Sequence, residues 1–107
     1  MERIYEKKNS FYIDISWSPE LDSWEMHTDT LNNNKTWSWS PQEFKKLKEG
    51  LAIAKERLKE RGIKKVIGLC ETKKEKKFNV MFGFKEVPSG IVLTEDGILY
   101  YLLEMEI

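Results

Sequence analysis

A long amphipathic segment that runs directly into a buried strand constrains this fold more than any other feature. Residues 41–61 carry apolar side chains at three- and four-residue spacing, which predicts a helix with one face on a core. Ser40, Pro41 and Glu43 form a strong helix start. A serine at the cap with a glutamate three residues later satisfies free backbone amides, and a proline is favoured at the first helical position. Gly62 supplies the stop, and residues 63–70 are nearly continuous and β-branched. This pattern is typical of the second half of a crossover in a sheet with parallel pairing.

The remaining patterns complete a single α+β domain over residues 1–107. Residues 11–17 and 23–31 alternate apolar and polar side chains, which predicts an antiparallel hairpin, and residues 35–39 predict a short third strand. After the buried strand we expect a helix over 72–82 ended by Gly83, then strands 84–93 and 98–107 joined at Asp96-Gly97. The predicted order is β-β-β-α-β-α-β-β around a mixed sheet.

Composition excludes several classes of protein. A chain of 107 residues with one Cys and one His has no internal disulfide and no Cys/His zinc site, so we expect no metal. No apolar run approaches the roughly 18 residues of a membrane-spanning helix. The first nine residues are charged and show no targeting signal, which predicts a cytoplasmic protein.

The zero net charge conceals an uneven distribution along the chain. Residues 1–40 carry 4 basic and 7 acidic side chains, residues 41–85 carry 14 and 6, and residues 86–107 carry 0 and 5. A basic block can bind nucleic acid or another polyanion, although lysines on a helix most often form a solvated face. The lysines concerned lie on the two predicted helices and have no interleaved aromatic residues: Lys45, Lys46, Lys48, Lys73, Lys74, Lys76 and Lys77.

Two segments, residues 55–66 and 78–87, resemble the second half of the Gcn5-related N-acetyltransferase (GNAT) fold. In that family a long helix passes through an Arg-Gly-Ile type corner into a strand, and a short helix ends in a Gly-Phe turn. Arg61-Gly62-Ile63 and Gly83-Phe84 match these features, and the order of elements over residues 41–107 matches as well. The resemblance implies an acetyl-CoA site at the junction before the long helix.

That junction departs from the family pattern. The family places glycines there so that backbone amides reach the cofactor pyrophosphate, whereas this chain has Ser40, Pro41, Gln42 and Glu43. Pro41 lacks an amide donor, and Glu43 adds negative charge where a phosphate would lie. Asn79 aligns with the family tyrosine that protonates the leaving thiolate, and an amide cannot deliver that proton. The resemblance therefore implies a GNAT-like fold without the usual catalytic site.

Three hypotheses of function follow. The first is a non-catalytic protein that acts through protein contacts and binds no cofactor, similar to shortened GNAT-like proteins of tailed bacteriophages, in the virion or the bacterial cytoplasm. The second is an N-acetyltransferase with an atypical acetyl-CoA site and a base drawn from Glu25, His27 or Asp29, which share one strand face. The third is polyanion or nucleic-acid binding through the helical lysines.

Aromatic and apolar residues suggest where a protein partner or a second copy could bind. Trp37 and Trp39 share one side of a predicted strand, and aromatic residues are enriched at binding hot spots. We expect Trp17 and Trp24 to fill the core instead. The last strand is apolar on both faces for half its length, so it is either central or covered by a partner, with Tyr101 and Leu103 as interface candidates.

Overall fold

The computed structural model describes residues 1–30 and 40–107. These residues form six strands and two helices in the following order: β1 (Glu2–Lys7), β2 (Phe11–Ser18), β3 (Ser23–Thr30), α1 (Pro41–Glu60), β4 (Lys65–Cys70), α2 (Lys73–Phe82), β5 (Lys85–Leu93) and β6 (Leu99–Glu106). The predicted α+β class and the elements from β2 to β6 are confirmed, with boundaries that shift by at most a few residues.

Strand β1 is the one described element that the sequence did not predict. Its six residues include only Ile4 and Tyr5 as apolar side chains, so no alternating pattern is visible. It forms because it pairs antiparallel with β2, where Arg3 lies opposite Asp14. The strand predicted over residues 35–39 lies outside the described residues.

The six strands form one mixed sheet in the order β1-β2-β3-β4-β6-β5. Strands β3 and β4 are parallel, as the crossover through α1 requires, and the other neighbours are antiparallel. Strand β6 lies between β4 and β5, so it is a central strand with both edges paired rather than an edge strand.

Both helices pack on the same face of the sheet, which we call the helix face. The stripe of α1 contributes Leu47, Leu51, Ala54 and Leu58 to the core, and Phe78 and Phe82 of α2 join the same cluster. The rings of Phe44 and Phe78 connect the two helices, with centroids 5.9 Å apart. No helix of the described residues packs on the other side of the sheet, which we call the open face.

Each helix has a capped start and a glycine stop. Ser40 Oγ accepts a hydrogen bond from the Glu43 amide, and Thr72 Oγ1 accepts one from the Glu75 amide. At the other ends Gly62 (φ 77°) and Gly83 (φ 125°) follow the helices. After each glycine, the next backbone amide donates a hydrogen bond to a carbonyl of the last helical turn, as in a Schellman motif. The Ile63 amide donates to the Leu58 carbonyl, and the Phe84 amide donates to the Asn79 carbonyl.

Trp17 corrects the expectation that both early tryptophans fill the core. Its side chain is 47% exposed, although its ring packs edge-on against Trp24 with centroids 5.3 Å apart. Trp24 is half-buried against the core and lies beneath the Arg61 guanidinium at the end of α1. Trp17 lies opposite Trp24 near the β2–β3 turn, and only Trp24 packs against the core cluster.

Replacing Gly50 with alanine tests how tightly α1 approaches the sheet. A Cβ at this position would lie 2.7 Å from Tyr5 Cε2 and 2.9 Å from Phe11 Cζ, and Phe11 is fully buried. Overpacking costs about 1–3 kcal/mol, which outweighs the gain of about 1 kcal/mol in helix propensity. We therefore expect Gly50→Ala to lower the free energy of unfolding by about 1 kcal/mol in a denaturant titration. Ala52→Gly is the control, because Ala52 lies on the exposed side of α1 and its replacement measures helix propensity alone. A Gly50→Ala protein more stable than the parent would contradict the close contact of α1 with Tyr5 and Phe11.

Candidate functional site

A cleft opens where β3 and β4 separate. Their pairing consists of Trp24 with Val66 and Glu25 with Ile67, and no further pair forms along the described parts of either strand. A cavity of about 280 Å³ fills the gap beyond these pairs. Because it passes between the strands, residues from both faces of the sheet line it: Met1, Tyr12, Met26, His27, Thr28, Asp29, Gly68, Leu69, Glu75, Asn79 and Phe84.

Two of the three candidate bases line this cleft. Glu25, His27 and Asp29 share the open face of β3, as the alternation predicts, but Glu25 lies at the paired end of the strand. His27 Nε2 lies 3.0 Å from Ser16 Oγ and 3.7 Å from Glu25 Oε1. Both neighbours approach the same ring nitrogen, which differs from a catalytic triad, where acid and hydroxyl contact opposite nitrogens.

Asn79, which the resemblance aligns with the family tyrosine, also lines the cleft. Its amide group donates to Cys70 Sγ and to the Glu75 carbonyl oxygen, each at 2.9 Å. These bonds hold Asn79 against α2 and β4. Burial raises the pKa of the Cys70 thiol to about 11, although the hydrogen bond from Asn79 opposes the shift. Cys70 is therefore a neutral core side chain at physiological pH.

Tyr12 is a cleft residue that the sequence analysis did not identify. The Arg3 guanidinium lies 4.1 Å from the centroid of its ring, and Arg3 also pairs with the buried carboxylate of Asp14. Burial, with the negative charges of Asp29 and Asp14, raises the pKa of Tyr12. Tyr12 alternates with core residues along β2, so its place on the open face was predictable, but its approach to the cleft depends on the separation of β3 from β4.

The start of α1 carries little capacity to bind an anion. Pro41 occupies the first helical position and has no amide hydrogen, while Ser40 Oγ accepts the hydrogen bond of the Glu43 amide. The Glu43 side chain adds negative charge in the first turn, and Gln42 is exposed. A phosphate at this end of α1 would lie near the Glu43 carboxylate and would find one backbone amide donor fewer than at a helix start without proline.

The predicted interface residues lie in different environments. Trp37 and Trp39 lie outside the described residues. Leu103 is fully buried on the helix face opposite Gly68, so it does not reach the surface of the chain. Tyr101 is half-buried, and Lys76 Nζ lies 4.9 Å from the centroid of its ring.

The lysines of the third hypothesis are distributed over both helices. Those on α1 and most of those on α2 are exposed, whereas Lys76 forms an ion pair with Glu86, which raises its pKa. Within residues 1–30 and 40–107, no group of three or more His, Cys, Asp or Glu side chains is arranged to hold a metal ion. The same residues contain no helix long and apolar enough to cross a membrane.

Comparison with solved structures assigns the fold. One neighbour is a protein from Bordetella pertussis assigned to the GnaT acetyltransferase family, with a TM-score of 0.58 and 15% identity, over 90% of this chain and 57% of that one. Another is a protein assigned as a phosphinothricin N-acetyltransferase, with a TM-score of 0.54 and 19% identity, over 95% of this chain and 68% of that one. The fold is GNAT-like.

At these identities the likeness concerns the fold alone, and this chain spans less than two thirds of the length of the first neighbour. No protein-family model matches the sequence. No curated protein matches it either. The GNAT-like fold confirms the resemblance drawn from the order of elements.

The buried thiol gives a pH test of the packing beside the cleft. The folded-state pKa of Cys70, about 11, lies above its ordinary value, so folding favours the protonated form. The stabilisation is complete below the ordinary pKa and is lost as pH rises through the folded value. Between about pH 9 and 11 we expect the free energy of unfolding of the parent protein to fall by up to about 3 kcal/mol more than that of Cys70→Ala. Equal pH dependence of the two proteins in denaturant titrations would contradict a buried thiol.

Proposed function

We propose that this GNAT-like chain transfers no acetyl group and acts by binding other protein surfaces. The observation that carries the proposal is the start of α1, where Pro41 offers no amide hydrogen, Ser40 takes the Glu43 amide, and Glu43 supplies negative charge. The cofactor of the family is polyanionic, and its pyrophosphate would need donors and positive potential at this point. A virion component or a ligand of a bacterial host factor is the setting that the phage resemblance favours.

The lining of the cleft supports the same proposal. Asp29 and Glu75 place carboxylates in it, and its described lining contains no lysine or arginine side chain. Negative charge there disfavours a polyanionic ligand. Asn79 cannot act as a general acid, and its amide group already donates to Cys70 and Glu75.

A second candidate function is acetyl transfer through an atypical site. The observation that favours it is the cleft itself, which holds His27 as a possible base and Tyr12 as a hydroxyl donor. The raised pKa of Tyr12 keeps its phenol protonated, so it could supply the proton that Asn79 cannot. In this reading Tyr12 would replace the family tyrosine from a different strand.

Calorimetric titration with acetyl-CoA and CoA distinguishes the two candidates. We expect no saturable heat, because the start of α1 and the cleft both oppose a polyanion. A dissociation constant below roughly 100 μM, about 5.5 kcal/mol of binding free energy, would overturn the non-catalytic proposal. An active GNAT acetyltransferase titrated in parallel verifies the ligands and the sensitivity.

Variants at the helix start test the stated reason for this result. Pro41→Ala/Glu43→Gln restores an amide hydrogen and removes a negative charge, so this protein should bind CoA more tightly than the parent chain does. Gln42→Ala is the matched control, since Gln42 is exposed in the same turn and its replacement keeps both features. A double variant whose titration with CoA matches that of the parent chain would show that these two features of the helix start do not control cofactor binding.

A further inference from the structure

An apolar groove with an acidic rim lies on the open face of the sheet. The turn between β5 and β6 approaches the turn between β2 and β3, and a cavity of about 440 Å³ lies between them. Leu21, Leu69, Val92 and Leu93 supply its apolar lining. Its acidic side chains are Glu20, Glu25, Glu95 and Asp96, and we call this site the hairpin groove.

The hairpin groove leaves apolar surface in contact with water. Leu93 is 68% exposed, and the side chains of Leu21, Leu69 and Val92 are partly exposed. Contiguous exposed apolar residues with a polar rim are typical of a surface that binds a protein. The absence of any lysine or arginine from the described lining indicates a partner that carries positive charge.

The outer side of α2 has the complementary chemistry. Lys73, Lys77, Val80 and Met81 recur at helical spacing on the side that faces away from the core residues Phe78 and Phe82. Val80 is 45% exposed and Met81 is 57% exposed, so two apolar side chains adjoin two lysines. We call this surface the outer face of α2.

We propose that the hairpin groove binds the outer face of α2 from a second copy of this chain. Val80 and Met81 would contact the leucine side chains of the groove, while Lys73 and Lys77 would lie near its carboxylates. One copy cannot make this contact with itself, because α2 packs on the helix face and the groove lies on the open face. Two different surfaces meet in such a contact, so the association is head-to-tail.

The sheet edges oppose the main alternative mode of self-association, which is strand addition. Strand β5 contains Pro88 and an irregular register between Glu86 and Ile91. At the other edge, the Arg57 side chain donates to the Ile4 carbonyl of β1, whose pairing is also irregular. Proline, register irregularities and occupied backbone groups all protect an edge strand from pairing. A helix that binds in a groove needs neither edge.

Sedimentation equilibrium of the purified chain tests the proposal. We expect the weight-average mass to rise above that of one chain as the concentration increases toward about 1 mM, where weak interfaces become populated. The association should weaken as salt rises from about 0.05 to about 0.5 M, since salt screens exposed charges. A mass of one chain at every concentration would overturn the proposal.

Charge reversal identifies the two surfaces. Lys73→Glu/Lys77→Glu makes the outer face of α2 acidic, and Glu95→Lys/Asp96→Lys makes the groove more basic. Each variant alone should be monomeric, because its two surfaces now repel. An equimolar mixture should associate again, since each variant supplies the complement of the other. Association of either variant alone at the parent level, or no association in the mixture, would overturn the assignment.

A control separates this effect from a general change in charge. Lys45→Glu/Lys46→Glu makes the same charge change on exposed positions of α1 and should leave association unchanged. Circular dichroism confirms that each variant is folded. The inference rests on the proposed function only in taking protein contact as the mode of action. CoA binding and self-association are separate measurements, so either claim can fail alone.

Discussion

The short parallel contact between β3 and β4 is the constraint on which the rest of the structure depends. Two residue pairs join the β1-β2-β3 half of the sheet to the β4-β6-β5 half. Such a limited junction is stable because both helices cover the same face, with α1 against the first half and α2 against the second. The contact between Phe44 and Phe78 joins the helices, so the two halves share one core although their strands diverge. The cleft is a direct consequence of this arrangement.

Much of this fold was predictable because its signals are local. The stripe of α1, its Ser40 cap and the two glycine stops each act within a few residues, and each appears where the sequence predicts it. The order of elements then indicated the GNAT-like fold through its resemblance to the order of elements in that family. Strand β1 was missed because its stability comes from pairing with β2 rather than from its own pattern.

The candidate site was less predictable because it depends on contacts between distant segments. The positions of His27 and Asp29 on one strand face followed from alternation, but Tyr12 enters the cleft only because the sheet divides beside β3. Leu103 faces the core, and the same strand leaves Leu99 exposed near its turn. The uneven charge along the chain has a structural counterpart, since the lysines lie on the helices and several carboxylates lie on the open face. This separation is what makes a head-to-tail contact between copies electrostatically favourable.

Hydrogen exchange along β3 tests the central claim, that the sheet divides after two residue pairs, most directly. Successive amides of a strand point to opposite neighbours. Over residues 26–29, those that point to β2 should exchange slowly, while those that point to the cleft should exchange much faster because no β4 partner holds them. We therefore expect alternating fast and slow exchange over these residues, measured by NMR under native conditions. Uniformly slow exchange would contradict it, since the two strands would then be paired to their ends and no cleft would exist.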